Sequence, residues 1–214
     1  MGRLFLHKKK MNPEFCVIVQ GPSSYVDEIS NAWSDYHVLF STWKGEEDKY
    51  NVYQQTDDCI FCNKPSSPGV GNVKMQHMTT LAGLLEAKRR GFKQVIKWRS
   101  DMIPSNPHKF VKLFNKELTL FYWHDHDGGY IVDYFMGGNI DNLIKLWDFD
   151  PSQPGRFSEQ YLVRSFFDKA LDLSDHQYIG KSIDENNDVI WLKYNKTLAH
   201  YRDDPKYITN PNYV

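Results

Sequence analysis

"VKMQHMTTLAGLLEAKRRGFKQVIKWRSDM" (residues 73–102) sets a helix and a strand back to back with only a short turn between them. Met78, Leu81, Leu85 and Lys88 fall three and four residues apart, a spacing that predicts one face of an amphipathic helix. Lys88, Arg89 and Arg90 stand in its last turn, where cations favour the negative helix end, and Gly91 supplies the stop. "QVIKW" then reads as a buried strand that runs abruptly into Arg99, Ser100 and Asp101. Charges at the carboxyl edge of a strand are costly to bury, so they either stay in water or grip something.

Working outward, the same alternation recurs. "EFCVIVQGP" (14–22) is a near-continuous apolar run closed by Gly-Pro, the pattern of a buried parallel strand. "SSYVDEISNAW" (23–33) predicts a helix capped by Ser23 or Ser24, and "YHVLFSTW" (36–43) and "DCIFC" (58–62) predict two more strands. A loop rich in Pro, Ser and Gly (63–72) leads into the helix quoted above. The expectation is an α/β domain, its central sheet mostly parallel and flanked by helices. Beyond residue 105, helices are expected over 107–117, "NIDNLIKLWD" and 156–171. "LTLFYWH" and "YIVDYFM" predict two strands joined by the hairpin signal "DHDGG", with late strands at "HQYIG" and "DVIWLKY". The 214 residues suit one such domain.

Composition removes several function classes. Net charge is −1 with Lys and Arg spread along the chain, so there is no basic stripe for nucleic acid. No apolar run approaches the roughly 18 residues of a spanning helix. "MGRLFLHKKKM" lacks a signal-peptide core, and Leu6 stands where myristoylation wants Ser or Thr, so a cytoplasmic protein with no membrane span is expected. Cys59 and Cys62 are spaced C-x-x-C without a second pair, and on a strand they point to opposite faces, so they read as core thiols. Aromatic residues reach 15%, enough to build a core and to line a site for flat or sugar-like ligands.

In open parallel sheets, ligands bind beyond the carboxyl ends of the strands. Three such ends here are polar: Gln20-Gly21-Pro22, Ser41-Thr42-Trp43-Lys44-Gly45 and Arg99-Ser100-Asp101. Gly21 and Gly45 would let backbone amides approach a ligand, and Trp43 would offer a stacking face for a base. Lys44 and Arg99 suit phosphate, and Asp101 suits a divalent cation through hard oxygen. The chain has no G-x-G-x-x-G after its first strand, no G-x-x-x-x-G-K-[ST] and no G-x-S-x-G.

"VIVQGP", "FSTWKG", "GNVKMQHMTTLAGLLEAKRRG" and "VIKWRSDM", in that order, resemble the WavE family of glycosyltransferases, associated with lipopolysaccharide core synthesis. A weaker likeness runs through "DYFMGG" (133–138) and "PGRFSEQYLV" (154–163), so the resemblance covers about residues 14–163. It implies a single GT-A-type domain around a mixed sheet. Its nucleotide-binding half would span about 12–105 and its acceptor half about 106–200, with an irregular tail over 201–214. It implies a nucleoside-diphosphate sugar, with uridine (UDP) the expected nucleoside, a glycan acceptor, and Mn²⁺ or Mg²⁺ at a D-x-D motif. "RSD" occupies that motif: Asp101 matches its second aspartate, and Arg99 stands where the first would be.

On this resemblance the donor would be held by Gln20, Gly21, Pro22, Trp43, Lys44, Asn72, Gln76, Arg99 and Ser100. Asp101 would hold the metal, with His200 of the tail reaching the diphosphate or the metal. Glu159 matches the position of the general base, and Asp133 would hydrogen-bond sugar hydroxyls or serve as the base itself. Two alternatives stay open. A sugar nucleotidyltransferase would want a Gly- and Arg-rich loop after the first strand, which "QGPSSYVDE" lacks; a degenerate glycan- or nucleotide-binding domain would fit the arginine at position 99.

Overall fold

Strand β1 (Phe15–Gln20) is buried along its whole length, because it pairs on both sides and is covered on both faces. Its alternate residues serve two separate cores, as the two-residue period of a strand requires. Phe15, Val17 and Val19 pack with Trp33, Trp98, Phe110 and Phe135; Cys16 and Ile18 pack with Leu84, Leu143, Trp147 and Leu162. The computed structural model describes residues 14–47, 58–114, 118–120, 122–125, 128–152, 156–169, 176–178, 189–191 and 196–197.

In chain order, β1 is followed by α1 (Val26–Ala32), β2 (His37–Trp43), β3 (Cys59–Cys62), α2 (Val73–Arg89), β4 (Gln94–Arg99), β5 (Met102–Pro104) and α3 (Pro107–Phe114). Then come β6 (Leu118–Leu120), β7 (Tyr122–Asp125), β8 (Gly128–Ile131), β9 (Phe135–Asn139), α4 (Ile140–Trp147) and α5 (Ser158–Asp168). The described residues end with β10 (His176–Tyr178), β11 (Val189–Trp191) and β12 (Lys196–Thr197). Seven strands form one sheet in the order β10-β6-β9-β4-β1-β2-β3. Every pair in it is parallel except the two made by β9, which runs against β4 and β6. The protein is thus an α/β fold on a mostly parallel, mixed sheet. Helices α1 and α3 cover one face, and α2, α4 and α5 the other.

Four local expectations need correction. The buried face of α2 is Val73, Thr79, Thr80, Gly83, Leu84 and Ala87, while Leu85 of the expected face is 51% exposed. Small residues win because the helix lies almost on the sheet: a Cβ at Gly83 would sit 2.4 Å from Ile18 Cγ2. Neither Ser23 nor Ser24 caps α1; Ser23 instead donates its N–H and its hydroxyl to Glu46 Oε2, at 2.7 and 2.5 Å. "LTLFYWH" divides into β6 and β7, because β6 joins the main sheet while β7 pairs with β8 in a separate hairpin. "YIVDYFM" is likewise broken, and Asp133 lies between β8 and β9 rather than within a strand.

The large aromatic content goes mainly into the core. Trp98 stacks on Phe135 (5.0 Å between ring centroids) and meets Trp33 and Phe110 edge-on. Cys59 and Cys62 are half-buried, unbridged thiols on the edge strand β3, and burial with the nearby Asp58 charge pushes Cys59 up to about 12. Among the described residues no helix is long and apolar enough to cross a membrane.

Candidate functional site

Strands β1, β2 and β4 end level with one another, since Gln20 pairs with Ser41 on one side and Arg99 on the other. Two backbone bonds close the corner: Gly21 N–H donates to Ser41 O (3.2 Å), and Ser100 N–H donates to Gln20 O (3.0 Å). Gly21 has φ +125°, and a Cβ there would meet Ser100 Oγ at 2.5 Å, so both conformation and space demand glycine. Helix α2 ties the corner down from one face. Thr79 Oγ1 lies 3.0 Å from Gln20 Oε1 and 2.9 Å from Met75 O, the two sharing its one hydrogen, and Ser41 donates to Thr79 O (2.6 Å).

A cleft of about 590 Å³ opens at this corner. β1 and its turn contribute Gln20, Gly21 and Pro22; β2 contributes Trp43; the start of α2 contributes Asn72 and Gln76; the end of β4 contributes Arg99, Ser100 and Asp101. Of the residues expected to hold a donor, only Lys44 is outside this wall: its side chain is exposed and its N–H donates to Cys62 O at 2.9 Å. Trp43 is in the wall but 2% exposed, leaving too little open ring to stack on a base. Tyr25, which lines the same cleft and is only half-buried, offers more aromatic surface. Its signal in the sequence was an aromatic just past the Gly-Pro stop of β1. Gln76 lines the cleft, though its Oε1 is itself buried and has no hydrogen-bond partner among the described residues.

Arg99 and Asp101 are paired. Arg99 Nε donates to Asp101 Oδ1 (3.0 Å) and Nη2 to Oδ2 (2.7 Å), a two-pronged bridge whose side chains are each 22% exposed. The guanidinium also lies 5.0 Å from the centre of the Tyr134 ring. Burial works against its charge, but Asp101 and then Asp133 outweigh that and raise its pKa. Both Asp101 oxygens are engaged, and no group of three His, Cys, Asp or Glu side chains comes together among the described residues. His200 lies outside those residues. The described donors therefore do not by themselves fit a resident metal, and the fixed positive charge at this corner is that of Arg99.

Behind the cleft lies a second polar cluster. Asp133 is 1% exposed, and its Oδ2 accepts from Ser158 Oγ at 2.6 Å while Oδ1 has no hydrogen-bond partner among the described residues. Lys97, fully buried in the middle of β4, donates from Nζ to the Asp133 carbonyl and sits 5.3 Å from the Trp147 ring centre. Desolvation brings Lys97 down to about 8 against the opposing pull of Asp133. Glu159 keeps part of its surface open, and its Oε2 lies 3.1 Å from the same Ser158 Oγ. Burial, then the Asp133 charge, pushes the Glu159 carboxyl up to about 7, although it stands in the first turn of α5. The start of α5 adjoins the start of α2: a Cβ at Gly71 would come within 2.7 Å of Phe157.

The sequence reading did not single out Lys97 or Ser158. Lys97 carried a signal, a lone lysine inside an otherwise apolar central strand; Ser158 looked like any residue opening a helix. No protein-family model matches the chain, and no curated protein matches it.

Proposed function

We propose that the chain is a glycosyltransferase of the GT-A, WavE-like kind. It would bind a nucleoside-diphosphate sugar in the cleft and move the sugar to a glycan hydroxyl. One observation carries this reading: three strand ends and the start of α2 converge on one cleft that holds a positively charged guanidinium. The single reversed strand in an otherwise parallel sheet supports the fold assignment.

Each part then has a task. Arg99 meets the diphosphate and steadies the charge that grows as it leaves. Gln20 and Gln76 bring side-chain amides to the cleft wall, and an amide suits a base such as uracil, which carries both C=O and N–H groups. Tyr25 gives the base or ribose an aromatic surface. Glu159 takes the proton of the acceptor hydroxyl as that oxygen bonds to the anomeric carbon, and the bond from that carbon to the diphosphate breaks with its electron pair. Mn²⁺ or Mg²⁺ would come with the donor and offset the charge of its diphosphate, since the described donors do not by themselves fit a resident metal.

Thermal unfolding with a panel of nucleoside diphosphates, with and without Mn²⁺, tests the binding. Uridine diphosphate at one hundred times its dissociation constant should add about 2.7 kcal/mol of stability. A panel without a single shift removes the basis of the proposal. The bidentate Arg99–Asp101 bridge favours a second reading, a nucleotide-binding domain without transferase activity. Release of free nucleoside diphosphate on adding a glycan acceptor separates the two, and release of pyrophosphate instead would point to nucleotidyl transfer.

A further inference from the structure

Ser158 Oγ stands 2.6 Å from Asp133 Oδ2 and 3.1 Å from Glu159 Oε2. A hydroxyl carries one hydrogen, so it serves one carboxylate at a time, while its oxygen can accept from another donor. The shorter distance assigns that hydrogen to Asp133. An ionised Glu159 then faces the lone pairs of Ser158 and the nearby charge of Asp133. A proton on Glu159 turns this repulsion into a second bond, so that hydrogen bonds run from Glu159 to Ser158 to Asp133. Lys97 Nζ donates to the Asp133 main-chain carbonyl and so pins the backbone that carries this carboxylate. Asp133, Ser158 and Lys97 are sealed from solvent and Glu159 is not, so among these four described residues Glu159 is the one a substrate can reach.

We propose that Lys97, Asp133, Ser158 and Glu159 form one proton-holding unit: Glu159 exchanges the proton, Ser158 passes the hydrogen bond inward, and Asp133 sets how tightly the proton is held. Ser158, Asp133 and Lys97 are positioning residues. As the acceptor O–H bond breaks, its proton goes to Glu159, which donates to Ser158 Oγ; no other proton changes owner. After product release Glu159 returns the proton to water, and the unit is as it began. The elevated proton affinity of Glu159 agrees with this arrangement. The charged groups acting on Glu159 are Asp133, Arg99 (itself bridged to Asp101) and Lys97. The catalytic use of the unit rests on the function proposed above, whereas the linkage itself does not.

Infrared titration of the full chain without substrate tests the linkage, with the Glu159 carboxyl band identified by its loss in Glu159→Gln. Asp133→Asn should lower the Glu159 midpoint by about one pH unit or more, since a like charge is removed. Ser158→Ala should move the protonated Glu159 band to higher frequency, as its hydrogen bond is lost, and Ser158→Thr should bring it back. An unmoved midpoint in Asp133→Asn, or an unmoved band in Ser158→Ala, overturns the unit. Should Asp133→Asn fail to fold, the Ser158 pair decides alone. Coupled titration in a protein that transfers no sugar would support the unit and contradict the proposed function. Transfer by a protein whose two acids titrate independently would do the reverse.

Discussion

The two polar clusters of this protein sit at neighbouring places in the fold and solve opposite problems. At the cleft, opposite charges meet: Arg99 and Asp101 satisfy one another through two hydrogen bonds and remain within reach of solvent. Behind it, two acids meet: Asp133 and Glu159 share one serine hydroxyl, with Lys97 donating to the Asp133 main-chain carbonyl. A bridged pair satisfies its own charges and can exchange one partner for a ligand of the same sign. Two acids held together cannot both ionise cheaply, so such a pair stores a proton. The first arrangement suits binding an anion and the second suits moving a proton, which is why the two belong to one reaction in the proposal above.

The comparison breaks most visibly at Lys97. Lys97→Met keeps much of the side-chain volume but leaves the buried Asp133 main-chain carbonyl without its donor. Leaving a buried acceptor unsatisfied costs up to about 3 kcal/mol, so a loss of that order is expected in urea unfolding at pH 7. A loss below about 1 kcal/mol would mean that Lys97 does not hold the Asp133 backbone in place.

Glu159→Gln sharpens the contrast through pH. The native state holds the Glu159 proton more tightly than an ordinary glutamate would, at about 7 against 4.5. Its favourable contribution is therefore complete below about pH 4.5 and is lost as pH rises through 7. At pH 8 the variant should be more stable than the parent by roughly 2 kcal/mol, and at pH 4 the two should match. Equal stability at both pH values would contradict the like-charge description.

Asp101→Asn is the smaller test, at the other cluster. It releases Arg99 from its bridge, so uridine diphosphate without added metal should bind a few-fold more tightly, a gain on the order of 1 kcal/mol by calorimetry. Weaker binding without metal would show that Asp101 contacts the ligand rather than restraining Arg99.

How far the sequence led depended on whether a residue's role was local. The parallel core was legible because β1 and β4 read as apolar runs closed by polar turns, and those turns marked the cleft wall. The buried face of α2 was not: apolar spacing pointed to Leu81 and Leu85, but the close approach at Gly83 selected small residues instead. Asp133 could be flagged as an odd acid between aromatics, yet its seat in the break between β8 and β9 depends on where each strand finds a partner. Ser158 stayed invisible, since a serine at a helix start has an ordinary local explanation. Its importance comes from a residue 25 positions earlier in the chain.

Calorimetric titration of uridine diphosphate into the wild-type chain, Arg99→Met and Lys44→Met tests the account of the cleft most directly. The wild type and Lys44→Met should bind alike, and Arg99→Met should lose at least about tenfold, a change of 1.4 kcal/mol. Binding that survives undiminished in Arg99→Met, or that is absent from all three proteins, would contradict it.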